Sequence, residues 1–353
     1  MPIKTIELDQ STREEEVTLV IGKNLVIKLI ENEQVKKLIS EPIVQILLKT
    51  KNLCHKDFVE KMNKLIKISP IPIESVMRYR YPGFLIHEPE RKEIVRRLKK
   101  DSRYFIKEVK ETEKSMLNLE FEIKKFNPSL EILQPVTLQL CNVCRNPLFT
   151  IPKGTQEGKP RVAHVRNKRE PFRRISFYRA IMSEEIHPIK GEFRGDLKCI
   201  FCNSLVTRDK ACRLNIHEVH PSIREVWTRG IWLEEFLASL LRRKEWQTWT
   251  HLHMLGMSGI PHEIDILGIK KGFILIAECK TGKLARSDIF TFSTKITDLK
   301  SHVALFMSLL PLPDPETREF LTKNPMVILL ENACEFKEEG IEVKLSEGAL
   351  RNI

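Results

Sequence analysis

The sequence predicts an α/β protein of several domains, with a mixed sheet carrying helices on its faces at the C-terminal end. Three observations predict it. Residues 222–353 read in the order helix, strand, strand, helix, strand, the order expected of a mixed sheet covered by helices. Two short apolar runs meet at Lys270-Lys271-Gly272, which is the pattern of a β-hairpin. Two C-x-x-C pairs, at 141–144 and 199–202, mark a separate module upstream. The expected division is a helical region over 1–87, a long charged helix or linker over 88–134, the cysteine module with a basic insert over 135–221, and the sheet domain over 222–353.

The hairpin carries the chemistry. If Lys271-Gly272 is a two-residue loop, Lys270 pairs with Phe273, and counting back sets Asp265 opposite Glu278. Opposed residues share a sheet face with Cβ atoms about 5 Å apart, and Glu278 and Lys280 point the same way. Two facing carboxylates repel each other unless a cation lies between them. A hard divalent ion, Mg²⁺ or Mn²⁺, bound through carboxylates and substrate phosphate oxygens, suits the pair. Such an ion would polarise a scissile phosphate and activate water, while Lys280 neutralises developing charge or orients the nucleophile. The bland alternative is a surface hairpin with a Glu/Lys ladder. Both acids sit in or at the end of buried-looking runs, Ile264–Leu267 and Phe273–Ala277, which argues against it.

A third acid lies upstream. Residues 230–243 read as an amphipathic helix opening after Thr228 and Gly230. Trp232, Leu233, Phe236, Leu237, Leu240 and Leu241 form one apolar arc, and Glu234 falls at its border, within reach of a site at the core's edge. Glu235 projects almost opposite that arc and is expected in solvent.

Helix Glu, then Asp, then Glu-x-Lys resembles the PD-(D/E)xK, or restriction-endonuclease-like, superfamily. The similarity is to the nuclease domains of CRISPR-associated ancillary effectors, with their Gly-x-Trp-Leu-Glu helix, Asn-Glu-Ile-Asp strand and Glu-Cys-Lys-Thr strand. Here these read Gly230-Ile-Trp232-Leu-Glu234, His262-Glu263-Ile-Asp265 and Glu278-Cys-Lys280-Thr281. The resemblance covers about residues 222–353 and implies a restriction-endonuclease-like sheet. It implies Glu234, Asp265 and Glu278 as metal ligands and Lys280 as the catalytic lysine. His262 stands where the pattern often has Asn. No cyclic-nucleotide sensor is recognisable upstream, so a CRISPR role does not carry over.

The rest of this segment follows suit. Ser287 to Leu310 has helical spacing through Ile289, Phe292, Ile296, Leu299, Val303 and Phe306, and predicts a second helix. Lys295 in that helix is expected in solvent. Met326–Leu330 is a short apolar run, expected as a buried strand parallel to a hairpin strand.

The chain has 353 residues and a net charge of +12, which favours a polyanionic partner, nucleic acid before membrane. No apolar run approaches the roughly 20 residues of a membrane span, and residues 1–20 are too polar for a signal peptide. A cytoplasmic protein with no membrane partner is expected.

In a reducing compartment, Cys141, Cys144, Cys199 and Cys202 read as four thiolates for one tetrahedral structural zinc, with a redox pair as the rival. Cys54, Cys212, Cys279 and Cys334 read as buried small hydrophobes. Between the knuckles, Arg161, Arg166, Lys168, Arg169, Arg173 and Arg174 crowd around Phe172, Phe177 and Tyr178. Such a stretch can neutralise phosphates while its rings stack on bases. Read blandly, it is a solvated loop.

Helical spacing over Val35–Leu48, Asp57–Ile66 and Ile73–Tyr81, followed by Gly83–Ile86 as a strand, resembles a winged helix-turn-helix, with Arg78 and Arg80 at the recognition helix. A small packing or dimerisation domain is the alternative. Glu88 to about Lys125 reads as a long exposed helix, an arm able to pair two chains into a homodimer. The assembled expectation is a Mg²⁺- or Mn²⁺-dependent endonuclease acting on DNA, with RNA and single strands left open. The rival is a nucleic-acid-binding regulator with an idle nuclease fold.

Overall fold

The computed structural model describes residues 16–21, 25–69, 71, 88–150, 187–199, 201, 202, 204–336 and 338–346. They form a mixed α/β protein in two compact units. In chain order, β1 (Glu16–Ile21) and β2 (Leu25–Glu31) precede α1 (Glu33–Ser40), α2 (Pro42–Leu48), α3 (Lys56–Lys67) and the long α4 (Glu88–Lys124). Next come β3 (Leu133–Leu140), β4 (Phe149–Thr150), β5 (His187–Pro188), β6 (Leu197–Lys198), β7 (Leu205–Val206) and β8 (Cys212–Val219). Then follow α5 (Pro221–Thr228), α6 (Ile231–Arg243), β9 (Gln247–Leu255), β10 (Pro261–Lys270) and β11 (Phe273–Lys280). The last elements are α7 (Arg286–Asp298), β12 (Val303–Ser308), α8 (Pro315–Thr322), β13 (Val327–Leu330) and α9 (Glu338–Ser346). No helix among the described residues is long and apolar enough to cross a membrane.

The first unit gathers the described residues up to Ile66, Glu122–Ile132 and those from His220 onward. Its centre is one sheet in the order β1-β2-β9-β10-β11-β12-β13. The strands are antiparallel as far as β11, and then β12 and β13 run parallel. Strand β12 is buried at every position, as a parallel strand covered on both faces must be. The helix expected over Ser287–Leu310 is thereby corrected. It stops at Asp298, Lys300 takes φ 48°, and Val303–Met307 crosses the sheet instead. A short apolar run fits a buried strand as well as a helix, and tertiary packing decides between them. Strand β13 is parallel to the hairpin strand β11, as expected, with β12 between them.

Glu16–Ile21 and Leu25–Glu31, for which no element is expected, form a strand pair that extends this sheet through Leu29↔Met254 and Ile30↔His253. The N-terminal segment therefore shares a unit with the C-terminal one. The single helix expected over Val35–Leu48 is broken in two. Pro42 lacks an N–H and pushes Glu41 into extended backbone (φ −61°, ψ 133°). Helix α3 falls where Asp57–Ile66 is expected. Ile73–Tyr81 and Gly83–Ile86, with Arg78 and Arg80, lie outside the described residues.

Helix α6 owes its position to aromatic packing and to its apolar arc. Trp232 stacks on Trp227 with ring centroids 4.3 Å apart, and Trp227 Nε1 donates to Asn63 Oδ1 at 2.9 Å. Phe58 meets Trp227 edge-on. Another core layer joins Ile289, Phe292 and Ile296 of α7 to Leu267, Ile269, Ile274, Ile276 and Phe306 of the sheet.

The second unit comprises the described residues of Lys67–Phe121 and Leu133–Val219. Strands β3 and β8 pair along their full length. Leu98, Phe105 and Val109 of α4 pack against Leu138, Leu140, Ile216 and the four clustered cysteines. The expectation of an exposed arm is corrected accordingly: Leu98, Phe105, Val109 and Met116 are all buried. Phe105→Ala should lower stability by about 3–5 kcal/mol in denaturant unfolding. Its neighbour Tyr104, 60% exposed, should tolerate alanine within about 0.5 kcal/mol. Equal costs at the two positions would contradict this packing.

Candidate active site

The hairpin turn sets the register. Lys271 and Gly272 lie at φ 50° and 88°, both positive as a type I′ loop requires. Pairing then runs from Lys270↔Phe273 to Ile266↔Ala277. One step further on, Asp265 and Glu278 face the end of this ladder, where Asp265 Oδ2 accepts the Cys279 N–H at 2.7 Å. The carboxylate itself closes the strand pair. On the other side, the β9–β10 register runs through Leu252↔Ile264 and Thr250↔Ile266 but skips His251 and Asp265, and His251 takes φ 56°. The sheet thus loosens at the residues that carry the site.

Glu278 is buried and gripped from two sides. Lys280 Nζ lies 2.7 Å from Oε1, and Lys295 Nζ of α7 lies 2.7 Å from Oε2. Lys295 is itself buried, contrary to the expectation of a solvated lysine. On α6, Glu234 Oε2 lies 2.7 Å from His251 Nδ1, and Glu235 Oε1 lies 3.6 Å from Nε2 of the same ring. Glu235 also accepts a 2.6 Å hydrogen bond from Thr250 Oγ1. The expectation that Glu235 is solvated is corrected, since β9 covers the helix face that a wheel leaves open.

Electrostatics link the acids. Burial, reinforced by the charges of Glu234 and Glu278, raises the Asp265 carboxyl well above the usual carboxylate range. Burial also raises Glu234, against the pull of His251. For His251, burial alone would lower the pKa, but Glu234 and Glu235 lift it to about 9. Burial works to lower Lys280, and Glu278 more than reverses that. Oxygen donors under mutual repulsion beside an ammonium group are a chemically suitable donor set for a hard divalent cation. The three carboxylates do not bring ligand atoms that all lie within 4.8 Å of one another. Among the described residues, the group whose ligand atoms all lie within 4.8 Å of one another is a different one, the four cysteines.

His262 is a structural tie. Its Nε2 sits 2.6 Å from Asp298 Oδ2, and Asp298 also takes the Ser258 N–H and hydroxyl. Hydrogen bonds from Ser258 and His262 hold the Asp298 carboxyl down to about 2.

In the second unit, Cys141, Cys144, Cys199 and Cys202 are buried, with Cys141–Cys202 and Cys144–Cys199 sulfurs each 3.6 Å apart. Both knuckles close in the same way. Cys141 N–H donates to Asn146 O and Cys199 N–H to Ser204 O, each across five residues. Sulfurs packed this closely, in a core shared with α4, could bind zinc. Cys212 and Cys334, expected to be buried, are only partly so; Cys212 packs against this core and accepts a hydrogen bond from Arg145. His217 pairs with Glu113 at 2.9 Å. Arg161, Arg166, Lys168, Arg169, Arg173 and Arg174 lie outside the described residues.

No family model matches the chain, and no curated protein matches it significantly. Solved structures are similar over parts of it. A protein of unknown function titled AF1548 is 18% identical with a TM-score of 0.27, over 32% of this chain and 64% of that one. VC1899 from Vibrio cholerae is 17% identical with a TM-score of 0.31, over 37% of each chain. Can2 from Sulfobacillus thermosulfidooxidans, solved in complex with cyclic tetra-adenylate, is 16% identical with a TM-score of 0.31, over 38% of this chain and 40% of that one. The match spans less than two thirds of the length of each of these proteins.

Proposed function

We propose that the protein is a metal-dependent endonuclease of the PD-(D/E)xK type that hydrolyses phosphodiester bonds in DNA. The observation that carries this reading is the hairpin register that sets Asp265 and Glu278 one step beyond the Ile266↔Ala277 pair, with Lys280 bonded to Glu278. Two carboxylates from neighbouring strands and one from a helix interact electrostatically beside a lysine that is 30% exposed. In this reading, Asp265 and Glu278 hold Mg²⁺ or Mn²⁺, and Glu234 assists from α6, oriented by His251. The cation supplies charge to polarise the scissile phosphate and to activate a water molecule. Lys280 neutralises charge developing on the phosphate. Water oxygen bonds to phosphorus, the bond to the leaving sugar oxygen breaks, and the leaving oxygen takes a proton.

The four cysteines are assigned one structural zinc, whose closed sulfur shell leaves no open position for chemistry. The basic insert at 161–174, together with Arg78 and Arg80, is assigned to nucleic-acid contact, supported by the net charge of +12. The test is cleavage of duplex DNA, single-stranded DNA and RNA by the purified chain with Mn²⁺, with and without EDTA. Cutting of duplex DNA that EDTA abolishes is the expected result. Binding without cutting of any of the three would instead support a regulator with an idle fold.

A further inference from the structure

Both carboxylate oxygens of Glu278 carry an ammonium group. Lys280 takes Oε1 and Lys295 takes Oε2, each at 2.7 Å. A divalent cation arriving at either oxygen meets the ammonium group already bonded there, and like-charge repulsion favours moving that group away. The two lysines are unequal. Lys280 ends β11 with 30% of its side chain exposed, so solvent or a phosphate can receive it. Lys295 is 9% exposed and lies one residue from Ile296, on the α7 stripe that contains Phe292. Parting from Glu278 would strand its charge among apolar side chains.

Building on the nuclease reading above, we propose that Lys295 is a positioning residue that keeps one oxygen of Glu278 permanently. Glu278 then offers a divalent cation its other oxygen, and Lys280 is the ammonium group released towards the phosphodiester. The fixed charge also moderates affinity. A unit charge about 5 Å from a divalent ion, even at the dielectric constant of water (about 80), weakens binding by about tenfold or more. Lys295 thus fixes the geometry of the carboxylate and keeps the ion exchangeable.

The test is Mn²⁺ binding by calorimetry to the full, zinc-loaded chain without nucleic acid, for wild type, Lys295→Gln, Lys295→Met and Lys295→Arg. The two neutral variants should bind Mn²⁺ about tenfold or more tightly, and Lys295→Arg should bind as wild type does. Cleavage by the neutral variants should fall through kcat with KM little changed. Unchanged or weaker Mn²⁺ binding in a folded neutral variant overturns the proposal. So does failure of both neutral variants to fold, which would make Lys295 a structural counter-ion only. If wild type binds no Mn²⁺, or Asp265→Ala binds it equally well, the nuclease reading itself fails.

Discussion

Asp265→Ala is expected to lower cleavage by at least about a hundredfold while leaving nucleic-acid binding largely intact. Asp265 lies where like charges converge, since Glu234 and Glu278 both act on its carboxyl. Its removal deletes the carboxylate on which both other acids act. The cost to folding should be small. Loss of the hydrogen bond from the Cys279 N–H costs about 1 kcal/mol, and relief of like-charge repulsion offsets part of it. The variant should therefore unfold close to the wild-type temperature and bind a labelled duplex comparably by anisotropy. Lys280→Ala should behave likewise. Full activity in either folded variant would refute the site.

Cys141→Ser is expected to lose zinc and unfold the second unit. Four thiolates on one zinc at about 2.3 Å place their sulfurs roughly 3.8 Å apart. The observed 3.6 Å separations are close to this. The sulfurs also belong to the core of the unit, beside Phe105, Val109, Leu138 and Ile216. Binding of a structural zinc contributes roughly 10–16 kcal/mol at neutral pH, far more than a small unit could lose and remain folded. Metal analysis should find about one zinc per chain in the wild type and little in the variant. Protein purified without chelators and containing no zinc would remove this module from the account.

Much of the geometry around Asp265 was legible in sequence because a hairpin loop fixes register arithmetically. Once Lys271-Gly272 is the loop, Lys270 must meet Phe273, and every later pair follows. The α6 arc was legible for a similar reason, since Trp232 to Leu241 fit one period. What escaped depends on partners distant in sequence. Lys295 occupies a buried stripe, but only a carboxylate on another element makes a charged side chain tolerable there. Glu235 looked solvated because a helical wheel carries no information about β9, whose Thr250 and His251 meet it. His251 gave no signal, because its contribution comes from a local break in pairing rather than from alternation. Strand β12 was absorbed into a helix because Val303–Met307 satisfies both periods over so short a run.

The most direct measurement is the anomalous difference map of a crystal soaked in Mn²⁺. The account predicts a peak about 2.0–2.2 Å from oxygens of both Asp265 and Glu278, with Lys280 turned away from Glu278 and Lys295 still bonded to it. A crystal in which Mn²⁺ binds elsewhere, while both lysines keep their hold on Glu278, would contradict it.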